Sequence, residues 1–411
     1  AIDGVAVTNV LPLEDYLLGV LPWEVGTSCA IDVQRAFAVA ARSYAMSSVG
    51  KHSTFDICNS TCCQVYKGLN RTTDATIQAV NDTHGQVLTY QGTICRTVYS
   101  SSVGGTTVSA EQAWGSSTAY KYLTAIVTPW EKYEDCYRGV WTQEYSPAVL
   151  ANRLRANGYS QITGDIADVK IDSLCDNSTY VYKITFTDTY GNTATVQRSD
   201  KIRTLLGLSS ANFVVGKAGE TVTAFDYSLT DEGLNALINS ADSSGGSIGN
   251  VEGGAYVLTS SNSTPTVMNV GESIVTVSAN ERKATAELTR LAVMTQNGML
   301  NFNLSELANS TYFTLNDVEI VKNDIANRYP QVSQLVTDVI KTEREVYLEG
   351  TPGNFVFSGR GWGHGVGMSQ YGAMYLAELG YGYETLLTTY YQGTAIMNLR
   401  DVIASVSENM V

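Results

Sequence analysis

Residues 357–373 read "FSGRGWGHGVGMSQYGA", with glycine at 359, 361, 363, 365 and 367. Glycine is costly to order and packs nothing of its own, so a run of this kind exists for what it lets come close. In an extended chain side chains alternate faces, and the five glycines would share one bare face. Arg360, Trp362, His364 and Val366 would share the other. A bare face admits a second backbone or a flat ring. A dinucleotide-binding loop is excluded by spacing, because the third glycine of G-x-G-x-x-G is missing in every register. A helix is expected over 368–379, with Gly380 just past its end, so Ser369 and free N–H groups lie at the end of the ladder.

Outward from this stretch, the 411 residues exceed one small core. Hydrophobic residues make up 44% and charged ones 16%, a globular composition. The net charge is −14 with no basic run, which speaks against nucleic acid as a partner. An acidic chain with 25 tyrosines suits an extracellular protein that meets neutral sugars. No run of about 18 apolar residues is present to span a membrane, and "AIDGVAVTNV" is no signal peptide. A leader already removed, or an anchor absent from the chain, would both fit.

A strand is expected at 5–10, followed by a helix beginning at Pro12 and ending near Gly19. Val33, Phe37, Ala40 and Tyr44 mark a second helix. Arg42 points away from that stripe, on a face too apolar to be a solvated one. A third helix should end at Gly85. Hairpins should turn at Gln91-Gly92 and at Tyr190-Gly191, and a helix capped by Ser199 or Asp200 should follow the second. Residues 241–254 read as a linker and 323–350 as holding a helix. "AYVLTS", "PTVMNV" and "SIVTVSA" read as strands, and there is no internal repeat. The fold class is α+β, with a mostly β segment inserted at 216–354.

Seven cysteines stand at 29, 58, 62, 63, 95, 136 and 175, an odd count for a fully paired framework. His52, Cys58, Cys62 and Cys63 crowd into 12 residues. Zinc accepts such ligands at short spacing, although adjacent cysteines seldom both bind one ion. A disulfide such as Cys58–Cys62, or one to Cys95, Cys136 or Cys175, competes with that reading. His84 sits near a helix end and receives no role.

Several segments together resemble the SpoIID/LytB family (stage II sporulation protein D). They are "LEDYLLGVLPWEV", "VQRAFAVAARSYAM", "DICNSTCCQVYKG", "TVYSSSVGGTT", "WGSSTAYKYLTAIVTPW", "KIRTLLGLSSANF" and "SGRGWGHGVGMSQYGA". They lie in order and cover roughly 1–215 and 355–400. The resemblance implies a SpoIID-like core built from both chain ends, 1–215 and 355–411. It implies a peptidoglycan lytic transglycosylase that cuts between N-acetylmuramic acid and N-acetylglucosamine on peptide-stripped strands and leaves a 1,6-anhydro ring.

On this resemblance Glu24 is the single acid/base, and Leu21, Pro22, Trp23 and Val25 give it apolar surroundings. Arg42 contributes to activity, by positioning substrate or as a structural ion pair. Gln64, Tyr99, Ser100, His364, Ser369 and Gln370 line the cleft, and Trp362 stacks on a sugar or fills core. His52, Cys58 and Cys63 match the residues with which some relatives hold zinc, here expected to brace the loop rather than to react. No organic cofactor is implied. The implied partners are glycan strands, a cell-wall amidase and a membrane anchor protein, outside the cytoplasm of a Gram-positive-type sporulating bacterium, during engulfment. A non-catalytic glycan-binding module or amidase enhancer is the alternative.

Overall fold

A computed structural model describes residues 8–60, 62–115, 120–244, 255–257, 266–268, 275–278, 281–284, 290–295, 298–303 and 339–408. The chain divides into two compact units, 1–238 with 329–411, and 239–328.

The first unit opens with α1 (Leu13–Glu24) and α2 (Ile31–Ser47). Residues 8–12 carry no regular structure, and the rest of the strand expected at 5–10 lies outside the described residues. α1 does not stop near Gly19 but runs through Pro22 to Glu24. Two devices allow this. Gly19 is bare because the Tyr66 ring occupies the place a Cβ would take. Pro22 has no N–H for the Leu18 carbonyl, and the Thr72 hydroxyl donates to that carbonyl instead, at 2.9 Å. α2 is buried on nearly every side, with Val33, Phe37, Ala40 and also Gln34, Arg42 and Ser43 out of water. Leu17, Val20 and Leu21 of α1 pack on Ala38 and Ala41, and Val80 of α3 (Asp74–Asp82) closes that cluster.

β1 (Gln86–Tyr90) turns back into β2 (Thr93–Ile94) through Gln91 and Gly92. Both have positive φ, 50° and 78°, as the tightest hairpin turn requires. β3 (Tyr99–Ser100) and α4 (Ala110–Trp114) follow. β4 (Val140–Tyr145) and α5 (Pro147–Ala156) lead to the meander β5 (Ile166–Leu174), β6 (Val181–Asp188) and β7 (Thr193–Gln197). Then come α6 (Ser199–Leu206), β8 (Phe213–Lys217), β9 (Thr221–Leu229) and α7 (Asp231–Ser244). The cap of α6 is Arg198 at φ 79°, without a side-chain cap bond, rather than Ser199 or Asp200. Helix α7 occupies the start of the expected 241–254 linker, and 245–254 lies outside the described residues.

In the second unit three antiparallel pairs are described. They join β10 (Ala255–Val257) to β11 (Thr266–Met268), β12 (Val275–Ser278) to β13 (Glu281–Ala284), and β14 (Arg290–Thr295) to β15 (Gly298–Asn303). The strand readings of this region hold where they can be seen.

The chain returns to the first unit as β16 (Val339–Tyr347), a strand paired with β9 from Val339–Leu229 to Tyr347–Thr221. The helix expected in 323–350 is therefore corrected over this span, and 323–338 lies outside the described residues. β17 (Phe355–Arg360) then enters between β4 and β8. β18 (Met368–Ser369) pairs in parallel with β3. α8 (Gln370–Glu378), α9 (Tyr383–Tyr390), β19 (Ala395–Asn398) and α10 (Leu399–Glu408) complete the unit. β19 pairs with β1, Gln86 opposite Asn398. The two chain ends thus share three sheets in one α+β core.

The glycine ladder is not an extended strand. Only Gly359 belongs to β17. Gly361, Gly363, Gly365 and Gly367 have φ of 81°, 129°, 78° and 75°. The period-two pattern is one of alternating left-handed residues. A Cβ on Gly361 would stand 3.0 Å from the Ser102 oxygen, and one on Gly363 2.7 Å from the Ser100 Cβ. One on Gly367 would overlap the Val98 oxygen. The bare positions 361, 363 and 367 accommodate segment 98–104, and Gly365 accommodates the Tyr180 ring.

Candidate functional site

Glu24 is the last residue of α1 and half-buried. The Val65 N–H donates to its Oε1 at 2.6 Å. The Gln370 side-chain amide donates to its backbone carbonyl at 2.7 Å. Burial raises the Glu24 pKa above the ordinary carboxyl value, against the opposing pull of the Val65 N–H and the Tyr99 hydroxyl. Among the described residues no second carboxylate acts on it.

Tyr99 lies beside Glu24, its ring edge-on to Phe37 at 5.2 Å. Its hydroxyl is buried without a hydrogen bond of ordinary geometry, yet close enough to Glu24 and Gln64 for their electrostatics to interact. Gln64 is 1% exposed. It donates to the Ala41 carbonyl at 3.2 Å and accepts from the Tyr16 hydroxyl at 3.1 Å, so it props the site from beneath. Burial raises the Tyr16 hydroxyl pKa first, and the Glu24 and then Cys63 charges add to it. Tyr16 stacks on Tyr66 with centroids 5.5 Å apart.

Tyr99 and Ser100 alternate faces, and Ser100 looks away from Glu24. Its Oγ accepts the Gly365 N–H at 3.1 Å and lies 3.2 Å from His364 Nδ1. The Val366 N–H also donates to that nitrogen at 3.0 Å, which leaves the proton of the neutral ring on Nε2. Burial draws His364 down to about 4, so it is neutral at physiological pH. Its ring meets Trp114 edge-on at 5.1 Å.

Ser369 caps α8 by accepting the Gly372 N–H, and its hydroxyl donates to Glu131 at 3.0 Å. Glu131 is a buried carboxylate that also accepts from Ser102, Val103 and Thr128 and so ties three segments together. Trp362 is on the surface beside Tyr137 and Arg138.

Arg42 stands apart from Glu24. It is fully buried and grips Glu14 with Nε at 2.9 Å and a terminal nitrogen at 2.6 Å. It also donates to the Gln86 carbonyl at 2.9 Å. Glu14 and Glu24 are ten residues apart on one helix, roughly 15 Å along its axis. Arg42 fixes the far end of the helix that carries Glu24.

The structure therefore gathers Glu24, Gln64, Tyr99 and Gln370. It sets Ser100 and His364 on the opposite face, Ser369 in the frame, and Trp362 further out. Sequence reasoning passed over Tyr16, Glu131 and the Val65 amide. A backbone donor leaves no residue-type signal, and a lone tyrosine or glutamate carries little.

His52, Cys58, Cys62 and Cys63 bring their ligand atoms within 4.8 Å of one another. A tetrahedron built on Zn–S bonds of about 2.3 Å has edges of about 3.8 Å, so the set is close to that size. His52 Nε2 lies 3.3 Å from Cys63 Sγ. Burial opposes ionisation of Cys58, but hydrogen bonds from the Ser60 hydroxyl and amide, and then the Cys63 and Cys62 thiols, draw it down to about 6. A thiolate at neutral pH suits a metal ligand. All seven cysteines are unpaired, so none of the considered disulfides is formed. Cys62, exposed, joins the set although adjacent cysteines were expected not to share an ion.

This is a two-ended α+β core that presents the shielded Glu24 carboxyl and a His/Cys cluster. Residues 2–90 match the family model of the stage II sporulation protein, SpoIID. The chain is similar to stage II sporulation protein D of Bacillus subtilis, 28% identical over 240 residues, covering 52% of this chain and 63% of that one. It is similar to the amidase enhancer of Bacillus subtilis, 26% identical over 381 residues, 92% of this chain and 40% of that one. An uncharacterised protein of Brachyspira hyodysenteriae is 36% identical over 137 residues, 31% of this chain and 37% of that one. The chain thus spans between 37% and 63% of the length of these relatives. The family match over 2–90 and these relatives all support a likeness to the SpoIID family.

Proposed function

We propose that the protein is a lytic transglycosylase of peptidoglycan, with Glu24 as its only acid/base. The observation that carries this reading is that Glu24 is shielded and that, among the described residues, no second carboxylate acts on it. Hydrolytic glycosidases place a second carboxyl about 5–9.5 Å away to attack or to activate water. A transglycosylase does not need it. Protonated Glu24 gives its proton to the glycosidic oxygen as the bond from the muramyl C1 breaks. The resulting carboxylate faces the positive charge developing at C1. The C6 hydroxyl of the same sugar then bonds to C1 and returns its proton to Glu24, closing the 1,6-anhydro ring without consuming water. Val65 and Gln370 hold the carboxyl and its backbone, and burial raises the pKa of the acid, which favours its protonated form.

His52, Cys58, Cys62 and Cys63 would hold a zinc ion. Bound there, it would supply structural bracing to the loop that ends in Gln64 and the Val65 amide. Arg42 is a positioning residue, and Ser100, His364, Ser369 and Trp362 shape the walls. The protein acts outside the cytoplasmic membrane in sporulation, on strands cleared by an amidase and held near the membrane by an anchor protein. Among the described residues no helix is long and apolar enough to cross a membrane.

The relative matched over 92% of this chain is named an amidase enhancer. This favours a second reading, a glycan-binding partner of an amidase. One experiment separates the two. Peptide-free glycan strands are incubated with the wild type and with Glu24→Gln, and the products are weighed by mass spectrometry. Anhydromuramyl ends from the wild type alone support the transglycosylase. Reducing ends would point to a hydrolase. Strands retained but uncut by both would leave the binding module.

A further inference from the structure

Beyond the acid, the outer wall of the first unit carries an exposed aromatic pair with a cation between its rings. Tyr137 is 83% and Trp362 36% exposed. Their centroids are 6.3 Å apart at 49°. The Arg138 guanidinium carbon lies 5.1 Å from the Trp362 ring centre and 5.7 Å from that of Tyr137. Arg138 is exposed and makes no ion pair with a described residue.

The patch is rigid in its backbone. Trp362 and Ser102 exchange both their backbone hydrogen bonds, at 2.8 and 3.2 Å. The Gly361 N–H donates to the Gly139 carbonyl at 2.7 Å, which ties the loop bearing Tyr137 and Arg138 to the ladder. The patch also touches the segment that reaches Glu24. The Tyr371 hydroxyl lies against the Tyr137 amide, and Tyr371 follows Gln370, whose side chain holds the Glu24 carbonyl.

Aromatic faces take the C–H faces of sugars, and a guanidinium takes a carboxylate. A muramyl residue offers both. Its lactyl carboxylate is free only when the stem peptide has been removed, because the peptide otherwise locks it in an amide. A free cation on an outer wall of a chain with net charge −14 complements that anion.

We propose that Tyr137, Arg138 and Trp362 form an outer subsite for a peptide-free muramyl residue, along the same strand that Glu24 cuts. This rests on the glycan reading above and adds the means by which stripped strands are selected.

The test is isothermal titration of the full chain in a Glu24→Gln background, which keeps the ligand intact. The probes are peptide-free glycan oligosaccharides and chitin oligosaccharides of equal length, which lack the lactyl carboxylate. The background protein should prefer the muramyl ligand. Arg138→Ala should weaken the muramyl ligand about threefold, as expected for an exposed charge pair, and leave the chitin ligand unchanged. Arg138→Glu should lower it further, with the difference shrinking at high salt. Tyr137→Ala should weaken both ligands about fivefold. Both positions are exposed, and matching circular dichroism spectra would verify the fold. Unchanged affinities in all three variants would overturn the subsite alone, provided that the wild type still forms anhydromuramyl ends. No binding of either ligand by any form, with no product from the wild type, would overturn the glycan reading with it.

Discussion

Gly367→Ala tests the close packing on which the site depends. Gly367 has φ 75°, and left-handed backbone costs a residue with a Cβ about 1–2 kcal/mol. The new methyl group would also overlap the Val98 carbonyl oxygen and stand 3.3 Å from the Tyr391 ring. That oxygen cannot step aside freely. It accepts the Tyr391 hydroxyl at 2.9 Å and the Met368 N–H at 3.4 Å. Displacing it would forfeit hydrogen bonds of about 1 kcal/mol each. The expected loss is about 3–5 kcal/mol. Gly353 is the control, since it has φ 88° and open space around its Cβ position. Gly353→Ala should cost only the conformational part, about 1–2 kcal/mol. In thermal unfolding followed by circular dichroism the two should separate, by roughly 6 °C against roughly 2 °C of lost Tm. Equal losses would mean that the ladder needs glycine for its dihedral angles alone. A Gly367→Ala protein as stable as its parent would refute the packing of 367 on 98 altogether.

Four further outcomes are expected. Glu24 has a raised pKa, so folding binds its proton more tightly, and its contribution to stability is lost as pH rises from the ordinary 4.5 through the raised value. Glu24→Gln should flatten that part of the Tm–pH curve, and a curve of unchanged shape would count against a shielded acid. Cleavage by the wild type should fall as pH climbs past the same raised value, as for any reaction started by a protonated acid, and a rate still rising there would exclude that role. Arg42→Ala should cost about 3 kcal/mol by breaking a buried ion pair, and Arg42→Lys should recover only part, because an ammonium cannot reproduce the fork on Glu14 and the bond to Gln86. In both, activity and Tm should decline together, whereas Glu24→Gln should lose activity with its Tm kept. Purified protein should hold about one zinc per chain by atomic absorption, and Cys58→Ser or a chelator should lower the Tm; metal-free protein of unchanged Tm would remove the bracing role.

Much of the core was legible, because its signals are local. Buried α2 followed from Val33, Phe37, Ala40 and Tyr44 at helical spacing, and the turn at Gln91-Gly92 from residues that tolerate positive φ. What escaped was decided by distant partners. "VIKTEREVY" contains good helix formers, yet 339–347 is a strand because β9 offers it a complete antiparallel ladder. α1 outruns Gly19 because Thr72, 54 residues from Leu18, satisfies the carbonyl that Pro22 cannot. The glycine ladder misleads most simply. A period of two in glycine fits an extended strand and an alternating left-handed path equally well, and distant neighbours, 98–104 and Tyr180, select between them.

The same neighbour links the ladder to the chemistry. Segment 98–104 lies between the ladder and Glu24, with Ser100 and Ser102 held by the ladder and Tyr99 turned toward the acid. A glycine at 363 or 367 therefore does not need to touch a sugar to matter for the acid. By letting 98–104 approach, it sets the depth at which Tyr99 stands beside Glu24, and the parallel pairing of Met368 with Tyr99 fixes the register. The next residue after β18 is Gln370, which binds the Glu24 carbonyl. The C-terminal segment thus reaches the acid by two routes, through Tyr99 and through Gln370. The N-terminal segment supplies the carboxyl and the Val65 donor. Neither end alone contains the whole environment of Glu24, which is why residues more than 340 positions apart must fold as one core.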